Sequence, residues 1–394
     1  MNNSLLKERI SNKISSVDKT ERQELLALAE EKTNLIKLGR GDPDLDTPEP
    51  IRDAAKKALD EGYTHYTHWR GMKELREEIS NKLKEDNGLD YDPEDEIVVS
   101  TGVQESMYVV FQSLLEPGDE VLIADPHYTS YDAVVEFAGG KIKLVPTTEE
   151  NDFALQPDVL REHISEKTKV MVVVTPNNPT GAVIPPSTLE ELANIAKEED
   201  LLVISDEIYE KVIYDDYEHV SMASFPGMYE RTIVFNGFSK AYCMTGWRIG
   251  YMAAPSDFID KIERLKHTLT ISTNQVSQKA AIAALKGGDE LIDKTVETYK
   301  ERRDYLMNAL DEMGLTYGYP AGAMYIFANI RPTGKSAFEF CKDLLLDAGV
   351  QIFPGTTYGE GEGYVRISLL APTDQLKKAA DKMTEAVKGY IDGK

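Results

Sequence analysis

Short apolar runs separated by longer amphipathic stretches dominate residues 97–236. IVVS at 97–100, VLIAD at 121–125, KIKLVP at 141–146, VMVVVTP at 170–176, LLVISD at 201–206 and TIVFN at 232–236 are β-rich and predict strands. The intervening 103–115, 128–138 and 187–199 read as helices. Near-continuous apolar character in VMVVV and LLVIS implies strands covered on both faces. The pattern therefore predicts an α/β fold, a mostly parallel sheet sandwiched by helices.

From about residue 256 the pattern changes to long charged helical stretches reaching about 312. The strand candidates MYIFANI, VQIFP and GYVRISLL and a closing amphipathic helix follow, which predicts a smaller α+β domain. The expected division is a large domain over 45–290 and a small domain built from 1–44 and 291–394. The glycine pair of LKGGDE, near 285–291, marks the junction.

Composition narrows the function. A chain of 394 residues with 41% hydrophobic content has core enough for two domains. Its formal charge of −24 opposes long-range attraction to nucleic acid or anionic membrane. Cys243 and Cys341 are far apart and lack metal-ligand spacing, so neither a disulfide framework nor a metal site is expected. No window has the length of a membrane span or a signal-peptide core, and a soluble, cytoplasmic protein is expected.

Two phosphate-loop signals fail. TGKS at 333–336 resembles the end of a Walker loop, but Asn329 occupies the position of its first glycine. The glycines at 39 and 41, and at 359, 361 and 363, do not make a dinucleotide fingerprint.

The informative segments are LGRGDPDLDTP at 38–48, TGVQES at 101–106, TPNNPTGA at 175–182, SDEIYE at 205–210, FNGFSKAYCMTGWRIGY at 235–251 and YVRISLL at 364–370. Each has an ordinary reading by itself. Asp206 suits a helix N-cap, NNPTG a turn, TGVQES a helix entry, Tyr128 a core position, and Lys240 is one of 44 basic residues. In this order, over nearly the whole chain, they resemble the fold-type I pyridoxal 5'-phosphate (PLP) aminotransferases of class I/II, on the aspartate and aromatic branch.

The resemblance implies roles residue by residue. Lys240 holds the cofactor as a Schiff base and then moves the substrate Cα proton. Asp206 pairs with the pyridine nitrogen and keeps the ring an electron sink. Tyr209 and Asn178 bond the phenolic oxygen. Gly102, Val103 and Gln104 offer backbone N–H groups to the phosphate at a helix start, and Arg248 adds a guanidinium fork. Tyr128 lies on the ring. Gly41, Asn178 and Arg366 hold the substrate, Arg366 as the α-carboxylate clamp. Tyr66 is lent to the neighbouring subunit's cofactor, so a homodimer with shared sites is expected.

Two departures from the family pattern stand out. Gly237 replaces a hydroxyl residue three positions before the lysine, with Ser239 adjacent to it. His68, Trp69 and Arg70 stand where relatives have small residues or proline, which suggests that the rim lent by the neighbouring subunit is bulkier and more basic. Arg40 or Arg70 is the candidate reader of a distal carboxylate. The implied activity is reversible ping-pong transfer of an amino group between an L-amino acid (aspartate, aromatic or other) and a 2-oxo acid, with 2-oxoglutarate and glutamate as one pair. The alternative on the same scaffold is β-elimination, as in a carbon-sulfur lyase.

Overall fold

The computed structural model describes residues 9–10 and 20–391. The chain enters through α1 (Glu21–Glu30), β1 (Ile36–Lys37), α2 (Glu49–Asp60) and α3 (Lys73–Asn87). A capping box starts α1, with the Thr20 and Gln23 side chains each bonding the other's backbone N–H. Strands β2 (Ile97–Ser100), β3 (Glu120–Asp125), β4 (Lys141–Pro146), β5 (Thr168–Val174), β6 (Leu202–Asp206), β7 (Thr232–Gly237) and β8 (Gly250–Ala253) then form one sheet in the order β2-β8-β7-β6-β5-β3-β4. The connecting helices are α4 (Val103–Leu114), α5 (Ser130–Ala138), α6 (Pro157–Glu162) and α7 (Pro186–Glu198).

All the apolar runs predicted as strands in this region are strands, with ends shifted by one or two residues. Pairings among β3 to β7 are parallel. The unpredicted β8 runs antiparallel to both β2 and β7. Alternation along β5 explains the two-sided burial. Val170, Val172 and Val174 pack with Val110, Phe111 and Phe235, while Met171 and Val173 pack with Leu192 and Leu122 on the other face.

Downstream come α8 (Ser256–Thr270), α9 (Gln275–Gly287), α10 (Asp293–Met313), β9 (Thr316–Tyr317), β10 (Tyr325–Asn329), α11 (Ala337–Asp343), β11 (Val350–Gln351), β12 (Phe353–Pro354), β13 (Tyr364–Ser368) and α12 (Thr373–Ile391). The segment VQIFP is therefore two strands, not one. β11 pairs in parallel with β1 from the start of the chain, whereas β12 joins the antiparallel sheet β12-β13-β10-β9. The paired glycines at 287 and 288 end α9, and a single 3-10 turn, Asp289–Leu291, separates it from α10.

The segment ahead of α2 is held to the C-terminal half by charge. Arg302 on α10 donates to both carboxylate oxygens of Asp44 at 2.7 and 3.0 Å, and to the Leu369 carbonyl at 3.0 Å. Its side chain is 3% exposed, so deleting it strands a carboxylate in a poorly hydrated place. Arg302→Leu is expected to destabilise the protein by about 3 kcal/mol, read as a lower denaturation midpoint. An unchanged midpoint would mean that water replaces the pair at no loss.

Candidate active site

The functional side chains gather where the parallel strands end, the edge at which open α/β sheets hold ligands. Tyr128 follows β3, Asn178 follows β5, Asp206 ends β6, and Lys240 follows β7. With Gly41, Val103, Gln104, Tyr209, Arg248 and Arg366 they line one cavity of about 550 Å³.

Asp206 lies at the bottom of it, 5% exposed. The backbone after β6 turns rather than entering a helix, so Asp206 caps no helix and Tyr209 stands on a turn. Asp206 instead accepts from the Ile208 N–H at 3.3 Å, an Asx-type bond, and from the Tyr131 hydroxyl at 2.7 Å. Burial pushes its carboxyl up to about 6, against these donors and the nearby charge of Lys240. Such a group favours a cationic partner in the cavity.

Above it, Lys240 Nζ donates to the Gly41 carbonyl at 2.7 Å. Gly41 is required there, because a Cβ would meet the Tyr325 hydroxyl at 2.6 Å. The Tyr209 and Tyr325 hydroxyls are 3.1 Å apart. Burial holds the Tyr209 phenol well above its usual range. Burial acts on Tyr325 in the same direction, but the charges of Lys240 and Arg366 overcome it and draw that phenol down.

Arg366 stands on β13 and reaches out of its own sheet. Its guanidinium carbon lies 4.2 Å from the Tyr325 ring centroid and 4.3 Å from that of Tyr358, a cation between two π faces. One terminal nitrogen donates to Asn178 Oδ1 at 2.8 Å and the other to the Gly39 carbonyl at 2.7 Å. The buried Nε has no partner.

Val103 and Gln104 at the start of α4 line the cavity with Arg248, while Gly102 lies just outside the lining. Gly102 (φ 77°) precedes α4, and a Cβ on it would meet Arg248 Nη2 at 2.7 Å. Arg248 itself is held in the left-handed region, φ 52°, a conformation that structures keep where function over-determines the backbone. Its Nη1 donates to the Thr245 carbonyl at 2.9 Å. Ser239 also lines the cavity. Gly237 does not, and a Cβ there would meet Gly250 Cα at 2.9 Å, so no hydroxyl side chain fits this position.

The residues expected at the rim lent by the neighbouring subunit lie outside the cavity of their own chain. Arg70 donates to the Glu94 carbonyl and to Asp260 and is not part of the lining, whereas Arg40 is. Trp69 is buried in the sheet core, 7% exposed, which removes it from any rim. Tyr66 is 77% exposed and outside the cavity of its own chain. Tyr131, Tyr325, Tyr358, Arg22 and Leu26 were not anticipated. The last two, four residues apart on α1, face the cavity together.

Outside the cavity Glu207, Glu210 and His219 form a buried cluster. Ser205 and Ser221 donate to Glu207, and Lys82 pairs with Glu210. Lys82 offsets the charge of Glu210, the serine hydroxyls leave that of Glu207 unchanged, and His219 Nε2 lies 3.1 Å from Glu207 Oε2.

The lining fits the phosphorylated pyridine aldehyde expected from the sequence. It offers a lysine amine, a buried carboxylate, phenol and amide groups, and a helix start with an arginine beside it.

Comparison with known proteins agrees. Residues 33–383 match the family model described as aminotransferase class I and II. The chain is 44% identical over 384 residues to an aspartate aminotransferase of Pyrococcus abyssi, covering 96% of this chain and 98% of that protein. It is 42% identical to aromatic-amino-acid aminotransferase 2 of Thermococcus litoralis, with the same coverage. The crystal structure of an aromatic aminotransferase from Pyrococcus horikoshii superposes with a TM-score of 0.89 at 43% identity, covering 92% of this chain and 98% of that one.

The raised carboxyl of Asp206 has a thermodynamic consequence. It binds a proton more readily in the folded state than in the unfolded chain. Folding of the cofactor-free protein is therefore opposed above about pH 6, by about 3 kcal/mol, and the opposition fades as pH falls to about 4. Asp206→Asn should stabilise the cofactor-free protein at about pH 8, with the gain shrinking in acid. A gain independent of pH in thermal unfolding would contradict this origin.

Proposed function

This chain belongs to the aminotransferase class I and II family, and we propose that Lys240, Asp206 and Arg366 carry its reaction. It is a PLP-dependent enzyme that transfers amino groups between amino acids and 2-oxo acids. The observation that carries the residue assignment is the convergence of one amine, one buried carboxylate and one buried guanidinium on a single cavity. The relatives compared are aminotransferases by name, and the elimination reading is set aside.

When bound, PLP supplies an aldehyde that exchanges amines and a conjugated ring that takes up the electrons of a breaking Cα–H bond. Arg366 clamps the substrate α-carboxylate through its fork, and the flanking rings of Tyr325 and Tyr358 keep the guanidinium from swinging. Lys240 Nζ removes the Cα proton and returns it, as base and then acid. Asp206, fixed by the Tyr131 hydroxyl, would hold a proton on the ring nitrogen. Tyr209 and Asn178, both in the lining, would bond the ring oxygen, and Tyr128 would pack on the ring. Gly102, Val103, Gln104 and Arg248 receive the phosphate.

The substrate reading is glutamate with 2-oxoglutarate as one pair, and aspartate or aromatic amino acids as partners. It is supported by the names of the relatives and by a lining in which cations, Arg22 and Arg40, stand beside apolar Leu26 and Phe353. Gly41 completes the substrate end. The exposed Tyr66 supports a homodimer in which each chain lends this phenol to the other. Pairing of β1 with β11 supports a small domain assembled from 1–44 and 291–394 around a large domain of 45–290. Among the described residues no helix is long and apolar enough to cross a membrane, and the reading is of a cytoplasmic enzyme.

Lys240→Ala is expected to slow exchange of the glutamate Cα proton with deuterated water by roughly 10²–10⁴-fold. Retained exchange would remove Lys240 from the proton transfer. Arg366→Lys should lower kcat/KM for every amino acid, whereas Arg22→Met should lower it for aspartate and glutamate and spare phenylalanine. Equal losses across the panel for Arg22→Met would exclude it as a side-chain reader.

A further inference from the structure

The start of α4 carries a charge that works against its task. Glu105, in the first turn, is 7% exposed. Its Oε2 accepts the Thr101 N–H, and so ties down the loop that leads through Gly102 into the helix. That bond is a local cap, and an acidic residue in a first turn stabilises a helix. A buried carboxylate one turn from a phosphate site also repels the anion, and low hydration strengthens the repulsion.

Lys266, one turn before the end of α8, meets this carboxylate from the other side. Its side chain is fully buried, and Nζ lies 3.2 Å from Glu105 Oε1. The same oxygen accepts from the Thr270 hydroxyl at 2.5 Å, and Nζ donates to that hydroxyl at 3.1 Å. The three side chains close a ring in which each polar head is partnered. Neither Lys266 nor Glu105 lines the cavity, and nothing in the reaction uses them. A buried ion pair is seldom favoured over apolar residues of the same size for stability alone, so its place behind the helix start calls for another account.

We propose that Lys266 is a positioning residue for cofactor affinity: it neutralises Glu105, so that the carboxylate fixes the Thr101 loop without repelling the phosphate. The inference rests on the reading that the phosphate is received at Gly102 to Gln104 and Arg248. It concerns the phosphate alone, because the aldehyde and ring are served by Lys240 and Asp206.

The test is the dissociation constant of PLP from full-length protein, followed by absorbance, beside that of pyridoxal, which lacks the phosphate. Lys266→Met is expected to weaken PLP about tenfold or more and to leave pyridoxal unchanged. Adding Glu105→Gln to that variant removes the remaining charge of the pair, keeps the bond to Thr101 and should restore PLP affinity to within about threefold. Equal weakening of PLP and pyridoxal, an unchanged PLP constant, or no restoration by the second substitution overturns the proposal. Arg248→Met separates the two levels. If it weakens PLP while Lys266→Met does not, only the role of Lys266 is lost. If it too leaves PLP unchanged, the phosphate reading itself is wrong.

Discussion

Arg366 leaves its own antiparallel sheet and spends its two terminal nitrogens on the loop after β5 and on the backbone near the start of the chain. Three segments distant in sequence, at residues 39, 178 and 366, thereby meet around one guanidinium. A charge at this depth must be partnered, and the partners available are the groups that define one end of the cavity. The rings of Tyr325 and Tyr358 leave it little freedom. A carboxylate entering the cavity meets a cation already oriented, so little order has to be created on binding.

The same economy governs the other buried charges. Asp206 is held by Tyr131 and the Ile208 N–H, and burial lifts its carboxyl. Lys266 and Glu105 are mutually satisfied behind the helix start. Each arrangement opposes folding to some degree and is tolerated because the surrounding sheet is packed with apolar residues on both faces. Stability is supplied by β3 to β7, and the strained chemistry sits at their ends.

Much of this was legible in the chain itself. Strands β2 to β7 are apolar runs bounded by turn residues, and pattern reading recovers them within a residue or two. β8 escaped because GYMA is four residues long, begins with glycine and follows directly on the Arg248 turn. VQIFP read as one strand because an apolar run cannot reveal that its halves pair with different sheets. Lys240, Asp206, Asn178 and Arg366 stood out through motif order, since local sequence gave each a plainer explanation. Arg22, Tyr131 and Lys266 carry no motif. Their positions depend on how α1, α5 and α8 dock, which only the folded chain displays. Arg70, expected at the rim lent by the neighbouring subunit, turns to Asp260 within its own chain.

The helix α1 differs from every other part of the cavity wall. Its buried residues are Leu25 and Ala29, while Arg22 and Leu26 face the cavity. That face meets the small antiparallel sheet at Phe353 on β12, whose ring centroid lies 5.3 Å from the Arg22 guanidinium carbon. Exchanging two residues on one turn of a peripheral helix can therefore redraw the far end of the cavity while the groups around Lys240 stay in place. Evolutionary drift in substrate preference has an inexpensive route here, one that leaves the folding of the catalytic core undisturbed.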